Sequence, residues 1–154
     1  MSTRLTYTSG ALGEETDREF EAELVRAREN APDPLPHVIA GEDLAEGEPF
    51  DRLDPSRDGA VASRAREATP EIVARAVAAA REAAGPWRAM PYAERCELMR
   101  AVASGIQGRH LELAAVVSLE TGKTRTESIL EVQEAVDLIT TYVGLMEEND
   151  GYLR

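Results

Sequence analysis

Between Thr69 and Val143 apolar residues recur at steps of three and four, interrupted only by capping and proline signals, which commits this stretch to several packed helices. Thr69-Pro70-Glu71 opens the first of them. It offers a hydroxyl to cap free amides, a proline where a missing N–H costs nothing, and a carboxylate at the positive end of the helix dipole. Ile72, Val73, Ala76, Val77, Ala80 and Ala84 form its expected buried stripe, Gly85-Pro86 its expected end, and Trp87 a cover for that end. Pro91 begins the next helix, with Leu98, Met99, Val102 and Ile106 facing inward. Gly105 and Gly108 weaken its end, ahead of Leu111, Leu113, Ala114, Val117 and Leu119 in a third. Gly122 suits a left-handed cap, and Thr124-Arg125-Thr126-Glu127 is a capping box that starts a fourth. In that helix Ile129, Val132, Val136, Ile139 and Val143 line one edge for about two heptads, a length that predicts a core helix rather than a coiled coil.

The first half of the chain is more broken. Thr16-Asp17-Arg18-Glu19 has capping-box form and is followed by Phe20, Leu24 and Ala27 on one helical face, so a peripheral helix is expected from there to about Asn30. Ala31-Pro32-Asp33-Pro34-Leu35-Pro36 stops it and makes a stiff linker. His37 to Glu42 is a short apolar run ending in a turn signal, and a second turn, Asp54-Pro55-Ser56-Arg57-Asp58-Gly59, leads into Ala60-Val61-Ala62-Ser63. Two or three short strands are expected, and they must pair with something, because an isolated hairpin is marginal in water. The whole is a mainly α chain with a few short β-strands, an α+β arrangement without internal repeats. It divides into a helix and linker (1–36), strands and turns (37–68) and a helical part (69–154).

Composition excludes several functions. With 29 acidic against 17 basic residues the net charge is −12, which repels phosphate backbones and anionic headgroups, so neither nucleic acid nor membrane is an expected partner. No apolar run reaches the roughly 18 residues of a membrane span, and Met1 to Tyr7 do not have the form of a signal peptide. One cysteine cannot make an internal disulfide, and a reducing cytoplasm is the expected setting. Aromatic residues are only 5% of the chain, so the core must be built from Ala, Val, Leu and Ile.

No constellation of residues carries chemistry on its own. Gly122-Lys123-Thr124 has the tail of a phosphate loop, but the motif needs a glycine where Val117 stands and a strand where a helix is expected. Cys96 lies within a helix between Arg95 and Glu97, where a thiol is a small filler, and neither His37 nor His110 is placed to activate it. Glu127, Glu131, Glu134 and Asp137 surround the last helix at solvated positions. No residue is assigned a catalytic, cofactor-binding or metal-binding role.

The order of signals nevertheless resembles the N-terminal part of the aldehyde dehydrogenase family. That family has a segment ending in Asp/Asn-Pro, an A-T-x-E-x-V-x-x-A-V-x-A-A helix, a Trp, a P-x-x-E-R helix start and an E-x-G-K junction. Asp54-Pro55, Ala68-Thr69 to Ala80, Trp87, Pro91 to Arg95 and Glu120 to Lys123 match them in order and spacing. Val38 to Glu42, Val132 to Ile139 and Met146 to Gly151 look like the glutamate-semialdehyde (1-pyrroline-5-carboxylate) dehydrogenase branch.

The resemblance implies an NAD(P)-dependent oxidation in which a Cys thiolate attacks the aldehyde, hydride passes to nicotinamide, and a Glu-assisted water releases the acid. In the family those residues and the dinucleotide loops lie beyond the part matched, so none maps onto a position here. The expected cofactor of the whole enzyme is NAD or NADP, and this chain alone is expected to bind neither. Its expected partner is the rest of the dehydrogenase fold, or a second chain in a split enzyme, with self-association through an exposed apolar helix face possible. The alternative is a non-catalytic helical scaffold or interaction module.

Overall fold

A computed structural model describes residues 13–29 and 34–152. Met1 to Tyr7, the helix end at Asn30 and the linker residues Ala31, Pro32 and Asp33 lie outside the described residues. The elements run α1 (Glu14–Glu29), β1 (His37–Ile39), β2 (Glu42–Leu44), β3 (Pro49–Leu53), β4 (Val61–Arg66), α2 (Pro70–Ala89), α3 (Tyr92–Gly108), α4 (His110–Thr121) and α5 (Arg125–Glu148). A 3-10 turn follows at Asp150–Tyr152. The mainly α chain with short strands is thus the architecture the periodicity implies.

The core lies where α4 meets α1 on one side and α5 on the other. Ala114 and Ala115 are fully buried, and their small side chains let the neighbouring helices come close enough for Phe20, Leu24, Leu119, Ile129 and Val132 to fill the space. Helix α1 packs on α4 at the edge of this core, yet it contributes Phe20, the largest fully buried side chain among the described residues. Arg125, at the start of α5, reaches across to α1. It pairs with Asp17 at 2.9 Å, pairs with Glu21, and stacks its guanidinium 5.3 Å from the centre of the Phe20 ring.

Helix α1 begins before the capping box read at Thr16. The Asp17 amide donates to Gly13 O at 3.0 Å, so Thr16 lies inside the first turn, where Glu14, Glu15 and Asp17 complement the dipole. Helix α2 does not end at Gly85-Pro86. The proline forfeits only the bond to the Glu82 carbonyl, which sits on an exposed turn open to water, and the Met90 amide still donates to Pro86 O at 3.1 Å. The chain leaves the helix at Met90 (φ −65°, ψ 132°), the extended geometry imposed on a residue before proline, here Pro91.

Among the described residues four strands form rather than two or three, as two separate antiparallel pairs, β1–β2 and β3–β4. A two-residue turn at Ala40 and Gly41, both with positive φ, folds β1 onto β2 with Ile39 opposite Glu42. That turn imposes strand structure on Glu42-Asp43-Leu44, whose polarity hides it in the sequence. Strand β3 pairs with β4 from Pro49 opposite Arg66 to Leu53 opposite Val61, with a bulge at Arg52/Leu53.

The junction between α4 and α5 follows its sequence signals closely. Gly122 adopts φ 72° and donates its amide to Ser118 O at 2.9 Å. Thr124 Oγ1 accepts from the Glu127 amide at 3.4 Å, and the Glu127 carboxylate accepts from the Thr124 amide at 2.9 Å, completing the capping box. Thr124→Ala is accordingly expected to lower unfolding stability by about 1 kcal/mol. A urea midpoint that falls with unchanged slope checks this.

Candidate functional site

Two places combine several of the residues singled out above. The first is a joint between the β3–β4 loop and the α4–α5 junction. Asp54 is 5% exposed, and its Oδ1 accepts from the Ser56 amide at 2.8 Å and from Ser56 Oγ at 2.5 Å. The Asp54 amide donates to Ala60 O at 2.9 Å, closing the loop, and Pro55 lies directly over Gly122. A Cβ on Gly122 would come within 2.9 Å of Pro55 Cγ. On the next strand Ser63 Oγ donates to the Glu120 carboxylate. The Asp-Pro pair and the E-x-G-K segment, far apart in sequence, are thus two halves of one structural joint.

Burial by itself pushes the Asp54 carboxyl up, but the hydrogen bonds from Ser56 and the guanidiniums of Arg28 and Arg57 outweigh it, so the carboxyl sits below its ordinary value of 3.8. A carboxyl held low in the fold binds its proton more readily when unfolded. Its contribution to stability is therefore fully present above about pH 4 and lost as pH falls through the lowered value. Asp54→Asn is expected to remove that part of the acid dependence, which unfolding measured across the acid range would detect as a shallower slope.

The second place is a groove of about 640 Å³ between the end of α2, α3 and α5. Trp87 supplies one wall, Cys96 and Met99 the floor from α3, and Leu138, Tyr142 and Met146 the opposite wall from α5. Its lining is almost wholly apolar, yet Trp87 is 44% and Tyr142 67% exposed. Trp87 therefore does not close the end of α2. The stripe expected to bury α2 is open as well: Ile72 is buried, whereas Val73 and Val77 are about half exposed.

Helix α3 turns inward only two of the four residues the periodicity picks out, Met99 and Ile106. Cys96 and Ala103 are buried, with Tyr92, Met99 and Ile106 partly so, while Leu98 and Val102 stand on the exposed side. Cys96 is a filler facing α5, as expected from its position in the helix. His110, at the start of α4, donates Nε2–H to the Ile129 carbonyl at 2.9 Å, which fixes its tautomer because a carbonyl can only accept. Gly122-Lys123-Thr124 spans two helix caps, and Lys123 pairs with Glu131. Among the described residues no group of three or more His, Cys, Asp or Glu could hold a metal ion.

The groove offers little to a charged ligand. Its one cation, Arg95, already donates from Nη1 to the Trp87 carbonyl at 3.3 Å, and no glycine-rich turn faces the cavity to receive a pyrophosphate. On α5 the groove is lined by Ile139 and Val143, from the edge taken for the core, and by Leu138, Tyr142 and Met146 beside them. Among the described residues no helix is long and apolar enough to cross a membrane.

Comparison with known proteins adds an independent line. Residues 43–153 match the aldehyde dehydrogenase family. A 1-pyrroline-5-carboxylate dehydrogenase of Staphylococcus haemolyticus (strain JCSC1435) is 30% identical over 139 residues, which are 90% of this chain and 27% of that protein. Aldehyde dehydrogenase family 7 member A1 of Pisum sativum is 34% identical over 113 residues, 73% of this chain and 22% of that protein. Among solved structures, the R100A mutant of Thermus thermophilus 1-pyrroline-5-carboxylate dehydrogenase superposes with a TM-score of 0.84 at 29% identity, covering 93% of this chain and 28% of that one. The Mycobacterium tuberculosis Delta-pyrroline-5-carboxylate dehydrogenase bound with NAD and cobalamin gives 0.80 at 26% identity, covering 96% and 28%. The chain spans about a quarter of the length of these curated relatives.

Proposed function

Because this chain belongs to the aldehyde dehydrogenase family, we propose that it is the N-terminal portion of an enzyme that oxidises glutamate semialdehyde, or a closely similar small aldehyde, to the carboxylate with NAD. The observation that carries this reading is the uncovered apolar face formed by α2 and the groove between α3 and α5, in a chain that matches about a quarter of its relatives' length. Apolar area of this kind is costly in water and marks a surface built to be covered. The rest of the dehydrogenase fold is the cover proposed here.

On this reading the chain contributes scaffold. The joint at Asp54, Pro55 and Gly122 fixes the strands to the helices, Phe20 and Leu24 hold α1 to the core, and α2, α3 and α5 present the face on which the remaining domain seats. The nucleophilic thiolate, the general base and the dinucleotide contacts come from outside residues 1–154. The preference for the glutamate-semialdehyde branch is supported by coverage, since the Staphylococcus and Thermus relatives align along nearly the whole chain.

The test compares residues 1–154 alone with the same chain extended to the full length of its relatives. The extended protein is expected to form NADH when given glutamate semialdehyde. The chain alone is expected to form none and to bind a hydrophobic dye. Turnover by residues 1–154, or a monomer that binds no dye, would overturn the scaffold reading. A mass that rises with concentration would instead assign the apolar face to a second copy of this chain.

A further inference from the structure

We draw no further inference here: the strongest candidate, the apolar groove between the end of α2 and the facing sides of α3 and α5, belongs to the docking face already assigned to the remainder of the enzyme, and nothing in the structure shows what else covers it.

Discussion

Phe20→Ala is expected to lower unfolding stability by about 3–5 kcal/mol, the range for deleting a fully buried aromatic ring. Phe20 is 1% exposed, and it and Leu24 are the buried residues by which α1 holds to the core. The size of the effect follows from what stands opposite. Ala114 and Ala115 on α4 are fully buried methyl groups with no conformational freedom to swing into the vacated volume, so most of the cavity persists. Arg125 also loses the ring beneath its guanidinium, 5.3 Å from the centroid, and keeps only its carboxylate partners, which are partly exposed and contribute little. The loss should therefore fall on α1 before the rest of the fold, raising amide exchange in Glu14–Glu29 while the α3–α5 contact stays protected. Phe50→Ala on β3, where the ring is 39% exposed, serves as the control and should cost well under half as much. An α1 that exchanges as slowly as before would show that Phe20 does not anchor it.

Features set by near neighbours in sequence were the legible ones. The caps at Thr69, Gly122 and Thr124 depend on partners within three or four residues, so residue type and spacing are enough to specify them. The face of α3 was only half legible, because it has apolar residues on two sides: Leu98 and Val102 on one, Cys96, Met99, Ala103 and Ile106 on the other. Only packing against α5 selects the second. Pro86 misled for a related reason, since the loss of one helix bond on an exposed turn is tolerable where the same loss in a core would not be. Strand β2 was hidden because its pairing is dictated by the turn before it rather than by alternation of its own residues. The candidate site was half visible. Ile139 and Val143 of its α5 wall belong to the apolar edge that the spacing reveals, but its exposure could not be read, because Trp87 and Tyr142 look like any buried aromatic until the helices around them are placed. The meeting of Pro55 with Gly122 is a long-range contact that local patterning does not encode.

Gly47 and Gly41 separate two costs that substitution of a glycine usually mixes. Both have positive φ, 92° and 83° respectively, so alanine at either is expected to lose about 1–2 kcal/mol from backbone strain. Around Gly41 a new Cβ would meet nothing within 4 Å. At Gly47 it would stand 2.0 Å from the Glu67 carbonyl oxygen, a separation at which backbone must move. That carbonyl cannot move freely, because the Glu67 amide donates to Glu48 O at 2.9 Å and Arg66 Nη1 donates to Gly47 O at 3.0 Å, tying both sides of the approach together. Overpacking of this kind adds roughly another 1–3 kcal/mol, so Gly47→Ala should be the more damaging change by about that margin. The damage should be local to the β3–β4 pair, whose register starts at Pro49 opposite Arg66, directly beside the contact. Because β4 passes through Thr69 into α2, a displaced Glu67 would also tilt the helix that carries Val73, Val77 and Trp87 on the proposed docking face. Urea unfolding of the two variants, with amide exchange of β3 and β4, checks the pair. Equal losses at Gly41 and Gly47 would mean that backbone strain alone is felt and that the close approach to Glu67 relaxes without cost.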